Sequence, residues 1–195
     1  MLILSWNCRG LARPAAIRSL RVLIIINNPD CIFLMKTKSS VASMQDITTS
    51  LGYTLAVFVP PVDSAGGLCF GWKPGVDIEP TTQNHNLINL LVFSDPPNLP
   101  WMLSAIYGPP YKKKKRIFWE SMHQIATSFS DPWLCIGDFN EVLLQVDKKG
   151  GRLVSSSSSN GFNSLVSQQG LVDLGFIGNP YTWTNKCDNF ANIKE

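Results

Sequence analysis

Polar side chains follow three apolar segments of the sequence, at points where a plain hydrophobic core needs none. They are Asn7 after ILSW, Tyr107 after LSAI, and the pair Asp138 and Asn140 after WLCI. Side chains alternate faces along a strand, so residues two apart point the same way and can address one ligand. A carboxylate can orient and deprotonate a water, while an amide and a phenol can donate hydrogen bonds to a phosphoryl oxygen. This combination suits the attack of water on a phosphodiester.

Each of these residues also has a purely structural explanation. Asp and Asn beside glycine, as in GDFN, are common turn formers. Asn7 fits a turn equally well, and Tyr107 in YGPP fits a rigid loop anchor. Both explanations stand for each residue taken singly, and the order of the residues along the chain favours the functional one.

Composition limits the classes of protein that the chain can be. At 195 residues, 45% hydrophobic and 16% charged, it is expected to form one globular α/β domain over residues 1–195. A formal charge of +3 permits a polyanionic partner without requiring one. Five cysteines without CxxC spacing predict reduced core residues and no disulfide-linked partner. We find no signal peptide or membrane-spanning segment, so we expect an intracellular protein with no membrane partner.

Alternating apolar and polar segments predict the elements that position these side chains. Strands are expected at residues 2–6, 30–35, 53–59, 67–73, 87–93, 101–107, 133–137 and 179–185. Helices are expected at residues 14–28, 41–51 and 112–129, and from Asn160 onward. The prolines and glycines of residues 60–67 predict a loop. Helix-interrupted strands with hairpin-like pairs predict mixed sheets covered by helices.

The segments that carry these residues resemble the endonuclease/exonuclease/phosphatase family. They are SWNCRG, DCIFLM followed by KTK, SAGGLCFGWK, IYGPP, PWLCIGDFNEV, the GG pair near residue 150, LVDLGF and YTWTN. Together they look most like the endonuclease domain of plant LINE-type non-LTR retrotransposon proteins. The resemblance implies a four-layered α/β sandwich of two packed mixed sheets flanked by helices. It also implies cleavage of DNA with Mg²⁺ or Mn²⁺, in the nucleus.

The same resemblance assigns a role to each candidate residue. It places Asn7 in the metal and phosphate pocket, Tyr107 and Asn140 on the reacting phosphate, Asp138 on the water, and Thr182 and Trp183 beside the site as substrate-binding residues. The residue types themselves favour pocket or core walls over base-stacking platforms for Trp6, Trp72 and Trp183.

Lys36 departs from the pattern of that family. Family members carry glutamate at this position, and that glutamate is the principal carboxylate ligand of the metal. An ammonium group offers donors only, whereas a hard dication requires oxygen ligands. The substitution predicts badly weakened metal binding. A Lys36 side chain turned to solvent, or paired with Asp138, would not restore the ligand.

The end of the sequence is a second departure. The family continues into an Ile-x-Glu-Arg-Leu-Asp stretch and a Ser-Asp-His motif, whereas this sequence ends in IKE. We therefore expect a C-terminally truncated domain in which the last strands are missing. Neither His85 nor His123 is expected to replace the histidine of the motif, because neither has the Ser-Asp neighbours.

These observations support a degenerate Mg²⁺-dependent DNA endonuclease domain with little or no activity, and they leave open whether the chain is an enzyme. One alternative is a non-catalytic nucleic-acid-binding domain that uses the basic run KKKKR, residues 112–116. Such a run is also typical of a solvated helix face. Another alternative is a phosphatase that acts on phosphorylated small molecules or lipids.

Overall fold

The computed structural model describes residues 1–62, 65–151, 160–175, 177–178, 181–187 and 192–194. The chain divides into two units, of which the first comprises Met1–Gly108 and Asp131–Phe139. The second comprises Pro109–Ser130 and Asn140–Glu195. Both sheets of the chain belong to the first unit.

The first sheet is mixed and has the strand order β1-β2-β4-β3. Its strands are β1 (Ile3–Asn7), β2 (Cys31–Met35), β3 (Leu55–Val62) and β4 (Ala65–Trp72). β1 and β2 run parallel, and helix α1 (Pro14–Asn27) connects them. β4 runs antiparallel to both of its neighbours. Helix α2 (Val41–Ser50) lies between β2 and β3 in the sequence.

Local sequence explains where the two helices of this unit begin and end. Pro14 stands in the first turn of α1, where its missing N–H costs no hydrogen bond. The helix ends at Asn28, whose left-handed backbone lets its N–H donate to the carbonyl of Ile24 at 2.7 Å. The hydroxyl of Ser40 accepts a hydrogen bond from the N–H of Ser43 and caps α2.

The second sheet is also mixed, with the order β5-β6-β7-β8. Its strands are β5 (Ile78–Asn84), β6 (Leu87–Val92), β7 (Trp101–Tyr107) and β8 (Trp133–Asp138). The pairs β5–β6 and β6–β7 are antiparallel, whereas β7 and β8 are parallel. Each sheet therefore contains one parallel pair.

The hydrophobic core explains how the sheets stack. All five residues of β2 are buried, which identifies it as a central strand. Its alternate residues face two layers. Phe33 belongs to a cluster shared with Phe70 and with Leu103 of the second sheet. Leu34, on the other face, packs in a cluster with Met44 of α2 and the apolar face of α1. The two sheets therefore pack face to face, and α1 and α2 cover the outer face of the first.

The second unit contains helices α3 (Lys112–Thr127) and α4 (Asn160–Gln168) and a short 3₁₀ helix, Gln145–Asp147. The rings of Trp119 and Phe162 lie 4.8 Å apart between centroids. Gly161 permits this approach, because a Cβ there would lie 2.7 Å from the Cβ of Trp119. None of the helices in the described ranges has the length and hydrophobicity needed to cross a bilayer.

The α/β class with two packed mixed sheets is confirmed, and most elements lie close to their predicted positions. The predicted loop at residues 60–67 is wrong, because Pro61 pairs with Gly66 and Val62 with Ala65 in a continued β3–β4 ladder. Proline is tolerated there because β3 is an edge strand. Residues 63–64 lie outside the described ranges.

Two further strand predictions differ from the structure. β5 was not predicted, because it is an edge strand in which only Ile78 is buried and its polar residues resemble a loop. For the strand predicted at residues 179–185, residues 179–180 lie outside the described ranges. Over the remaining positions only Thr184 pairs, in an isolated bridge to Lys194.

A row of hydrogen-bonded polar side chains crosses the second sheet. Thr82, Asn89 and Ser104 are opposite one another in the register of β5, β6 and β7. Asn89 donates to Thr82 at 3.0 Å, and Ser104 donates to Asn89 at 2.7 Å. The indole N–H of Trp133 in β8 donates to the Ser104 hydroxyl at 2.8 Å. The chain of bonds satisfies polar groups that would be costly to bury unpaired.

The five cysteines are free, and three of them lie in strands. The prediction that the cysteines are core residues is wrong for Cys187, which is exposed. Burial raises the pKa of Cys31 and of Cys135 to about 12. It also raises the pKa of Cys69 and of Cys8 above the ordinary value for a thiol. Cys187 is exposed. Since the thiolate is the reactive form, the four thiols with a raised pKa are protected from alkylation near neutral pH.

We therefore expect iodoacetamide at pH 8 to modify Cys187 well before the other four cysteines, with mass spectrometry of peptides as the measurement. Raising the pH toward 12 should increase the reaction of Cys31 and Cys135, because a larger fraction of each thiol is then ionised. Protein unfolded in guanidinium provides the control in which all five react. Equal modification of Cys135 and Cys187 in the folded protein would contradict the burial.

Candidate active site

The two parallel strand pairs end next to candidate residues. In the first sheet Asn7 ends β1 opposite Met35, and Lys36 directly follows β2. In the second sheet Tyr107 ends β7 opposite Asp138, the last residue of β8. Ligands of α/β sheets commonly bind beyond the carboxyl ends of parallel strands. We call Asn7, Lys36, Tyr107 and Asp138 the strand-end cluster.

A hydrogen bond joins the two sheets within this cluster. Asn7 Nδ2 donates to Asp138 Oδ2 over 2.7 Å. The backbone N–H of Asp138 also points at the sulfur of Met35, at 3.3 Å. Asn7 of β1 thereby holds the carboxylate, and Met35 of β2 contacts the backbone of the same residue, although Asp138 belongs to β8. The three predicted site residues that lie in the strands of the first unit, Asn7, Tyr107 and Asp138, are thus gathered at one edge.

The amide oxygen of Asn7 is an unusual feature of the cluster. Asn7 Oδ1 is buried and has no hydrogen-bond partner among the described residues. A buried acceptor without a partner costs about 1–3 kcal/mol, so such atoms are rare away from functional sites. Its orientation is set by the opposite end of the same amide, which is bonded to Asp138. The orientation of Asn7 Oδ1 is therefore fixed, and this atom can accept a hydrogen bond or bind a cation.

Lys36 takes an arrangement that the sequence did not predict. Its Nζ lies 4.8 Å from the centroid of the Tyr107 ring, rather than in solvent or against Asp138 as we had considered. The attraction of an ammonium group to an aromatic face contributes about 0.5–2 kcal/mol. The backbone of Lys36 is left-handed, with φ of +54°, which is uncommon for a residue with a side chain. The positive charge therefore lies within the cluster.

The donor set of the cluster does not fit a divalent cation. Mg²⁺ binds oxygen ligands and is attracted by carboxylates. The cluster offers Asn7 Oδ1 and the Asp138 carboxylate, but it also contains the ammonium group of Lys36 over the Tyr107 ring. A unit charge ~4 Å from a dication costs ~8 kcal/mol at an effective dielectric constant near 20. Within the described ranges, no three His, Cys, Asp or Glu side chains are grouped to hold a metal ion.

Two glycines allow the strand ends to come close enough to form the cluster. Gly137 has a φ of +130°, and a Cβ there would lie 1.9 Å from the carbonyl oxygen of Ile106. At Gly108 a Cβ would lie 2.0 Å from the carbonyl oxygen of Phe139. The N–H of Gly108 donates to the carbonyl of Asp138 at 2.8 Å. The positions of Tyr107 and Asp138 therefore depend on the adjacent glycines, Gly108 after β7 and Gly137 within β8.

The remaining candidate residues belong to the second unit. Asn140 has a left-handed backbone with φ of +52°, and its carbonyl accepts a hydrogen bond from Lys115. Thr182 is exposed. Trp183 is 40% exposed, so it does not form part of the hydrophobic core. The functional roles of Asn140, Thr182 and Trp183 stay predictions.

Sequence reasoning missed an ion pair in the second unit. Lys115 Nζ lies 3.0 Å from Glu141 Oε2, and both side chains are largely buried. The other carboxylate oxygen of Glu141 accepts from the indole of Trp119 at 2.9 Å. One lysine of the KKKKR run is therefore structural, while the neighbouring Lys112, Lys113 and Lys114 are exposed. The spacing of Lys115 and Trp119, four residues apart on one helix face, was the available signal.

The close packing at Gly137 gives a prediction with a matched control. We expect Gly137→Ala to lower the free energy of unfolding by more than about 3 kcal/mol, because the new Cβ meets a carbonyl oxygen. Gly75→Ala places a Cβ on a similar left-handed backbone, φ of +94°, with nothing within 4 Å. That variant should lose only about 1 kcal/mol. Urea unfolding of both variants measures the difference, and equal losses would refute the close approach of β7 and β8.

No protein-family model and no curated protein sequence matches the chain. Solved structures do match it. A 3′-5′ exonuclease, NExo, from Neisseria meningitidis has a TM-score of 0.71 at 16% identity, over 100% of this chain and 86% of its own. The endonuclease domain of TRAS1, a telomere-specific non-LTR retrotransposon, has a TM-score of 0.67 at 10% identity, over 98% and 82%.

An AP endonuclease from Leishmania major has a TM-score of 0.64 at 16% identity. The match covers 86% of this chain and 66% of the Leishmania enzyme, so the chain spans less than two thirds of that protein. At these identities the similarity concerns the fold. The chain therefore shares its overall fold with an exonuclease, an AP endonuclease and the endonuclease domain of a retrotransposon.

Proposed function

We propose that the chain is a degenerate phosphodiester hydrolase domain of the retrotransposon-endonuclease type, with DNA as its substrate class and little or no remaining activity. The observation that carries the proposal is the strand-end cluster. It retains an acid and an amide hydrogen-bonded to each other beside a tyrosine, and it contains a lysine in place of the acid of the metal site.

The retained side chains are suited to hydrolysis at phosphorus. The Asp138 carboxylate can orient a water and accept its proton, and Asn7 holds that carboxylate in place. The hydroxyl of Tyr107 can donate to a phosphoryl oxygen as negative charge develops on it. These roles follow from the chemistry of the side chains and from the resemblance of their sequence motifs.

Solved structures with this fold support DNA as the substrate class. One of them, the 3′ phosphatase NExo from Neisseria, contains a product DNA hairpin and matches this chain with a TM-score of 0.64 at 15% identity. The TRAS1 domain belongs to a non-LTR retrotransposon, which is the class that the sequence motifs resemble. A plant LINE-type origin and a nuclear location are part of this proposal.

Lys36 accounts for the proposed loss of activity. In the family the metal is Mg²⁺ or Mn²⁺, and when bound it stabilises negative charge on the reacting phosphate. A fixed ammonium group beside the site repels such an ion and replaces one of its ligands. The chemistry that remains rests on Asn7, Tyr107 and Asp138 alone, which provide water activation and one hydrogen-bond donor.

Plasmid nicking in Mg²⁺ tests the proposal. We expect the purified chain to nick supercoiled DNA slowly or not at all, and Asp138→Ala to abolish any activity that remains. Lys36→Glu restores a carboxylate to the cluster, so calorimetry should show tighter Mg²⁺ binding by this variant than by the wild type. Robust nicking by the wild type that disappears in Asp138→Ala would overturn the proposed degeneracy.

A second candidate function is DNA binding without catalysis, and the exposed lysines of α3 favour it. Lys112, Lys113 and Lys114 are exposed at the beginning of α3. The first turn of that helix contains no acidic residue, so nothing there offsets their charge. Such a basic face can contact a phosphate backbone and release counterions.

For this candidate we expect the affinity for duplex DNA, measured by fluorescence anisotropy in EDTA, to fall steeply as salt rises. A triple Lys112→Ala, Lys113→Ala, Lys114→Ala variant should show a smaller salt dependence, because fewer counterions are released. Affinity that does not change with salt would exclude backbone binding by these lysines. Far-UV circular dichroism of the variant controls for loss of α3.

A further inference from the structure

Lys36 is a half-buried cation without a conventional partner. Its ammonium group lies over the Tyr107 ring. Among the described residues, no carboxylate lies within ion-pair distance of this ammonium group. Asp138, the acid of the same cluster, is held by Asn7 instead. An ammonium group has three N–H donors, and a π face satisfies their charge but accepts no ordinary hydrogen bond. Lys36 therefore retains its capacity to bind an anion.

Tyr107 provides a second donor beside this cation. The residue is 7% exposed, and its hydroxyl forms no hydrogen bond with the described residues. Its backbone is held on both sides, since its N–H donates to Asn86 at 2.8 Å and its carbonyl accepts from Asn86 at 2.7 Å. The ring and the hydroxyl are therefore rigidly positioned.

The geometry of Lys36 and Tyr107 matches the requirements of a phosphate group. Phosphate oxygens accept strong, charge-assisted hydrogen bonds from ammonium donors. A partly buried charge is also screened less by salt than an exposed lysine. The positive charge of Lys36 thus disfavours a divalent cation at the cluster and favours an anion.

We infer that Lys36, together with the Tyr107 hydroxyl, binds a DNA phosphate directly, so that the strand-end cluster recognises its ligand without a divalent cation. The inference rests on the proposed function for the identity of the ligand as DNA. The shared chemistry is a phosphate ester, which occurs as a monoester at a DNA end and as a diester within the strand. Binding at this cluster is therefore resistant to EDTA.

Lys38 provides a matched control for the test. It follows Lys36 by two residues, carries the same charge and has nearly the same left-handed backbone, with φ of +52° against +54°. Unlike Lys36, it is exposed. A variant at each position removes one positive charge from the same loop at a similar backbone cost.

The experiment measures binding of a short duplex by fluorescence anisotropy in EDTA, with a 5′-phosphate in one arm and a 5′-hydroxyl in the other. We expect Lys36→Met to weaken binding by about tenfold or more, which corresponds to one charge-assisted hydrogen bond. Lys38→Met should weaken it less than about twofold, as expected for an exposed charge. Lys36→Arg should retain binding. Preference for the phosphorylated duplex assigns the site to a terminal monoester, and equal affinity assigns it to internal diesters.

Three results would overturn the inference: equal weakening by the Lys36 and Lys38 variants, binding that appears only with Mg²⁺, and no binding by the wild type. If Lys36→Met does not fold, Lys36→Gln makes the same comparison with a polar side chain. Failure of this inference is distinguishable from failure of the proposed function. This inference is tested by the affinity for DNA in EDTA, whereas the proposed function is contradicted by robust cutting of DNA by the wild type in Mg²⁺.

Discussion

The hydrogen bond from Asn7 to Asp138 connects residues 131 positions apart and brings the carboxyl ends of the two sheets together. Neither side chain could hold this position alone, because each stands at the end of a different sheet. The core beneath them, in which Phe33 meets Phe70 and Leu103, sets the distance between the sheets. Glycine at position 137 then lets β8 approach β7 closely enough for Asp138 to reach the amide. The remaining features of the cluster depend on this constraint.

The charge of Lys36 determines the electrostatics of the strand-end cluster. A left-handed backbone costs an ordinary residue roughly 1–2 kcal/mol, and the contact of the Lys36 ammonium group with Tyr107 offsets part of that cost. A carboxylate there would attract cations, and the lysine attracts anions. The sign of one charge decides which ligand the cluster favours.

Much of the fold could be predicted from the sequence, because its strands and helices have strong hydrophobic patterns. β2 is a continuous apolar segment, and α3 places Phe118 and Met122 on one face. β5 could not be predicted, since an edge strand with one buried residue has no hydrophobic pattern to detect. The continuation of β3 through Pro61 escaped prediction because proline is tolerated only where a strand has a free edge.

The site was predictable in composition and only partly in arrangement. Residue types and order along the chain indicated Asn7, Tyr107 and Asp138, which the structure gathers at one edge. The contact of Lys36 with the Tyr107 ring could not be predicted, because it depends on a left-handed backbone that no local sequence signal requires of lysine. The role of Lys115 was only partly predictable, since its spacing from Trp119 places both on one helix face but its partner Glu141 lies 26 positions away in the sequence.

The polar row across the second sheet bears on how the chain reaches this arrangement. Thr82, Asn89 and Ser104 can pair only when β5, β6 and β7 are aligned as observed, and Trp133 extends the requirement to β8. A slip of one strand by two residues would keep apolar side chains facing the core, so hydrophobic burial alone would not disfavour it. It would leave polar groups buried without partners, at about 1–3 kcal/mol each. The row therefore stabilises the observed register of β5, β6, β7 and β8 relative to a slipped one, and with it the alignment of Tyr107 beside Asp138.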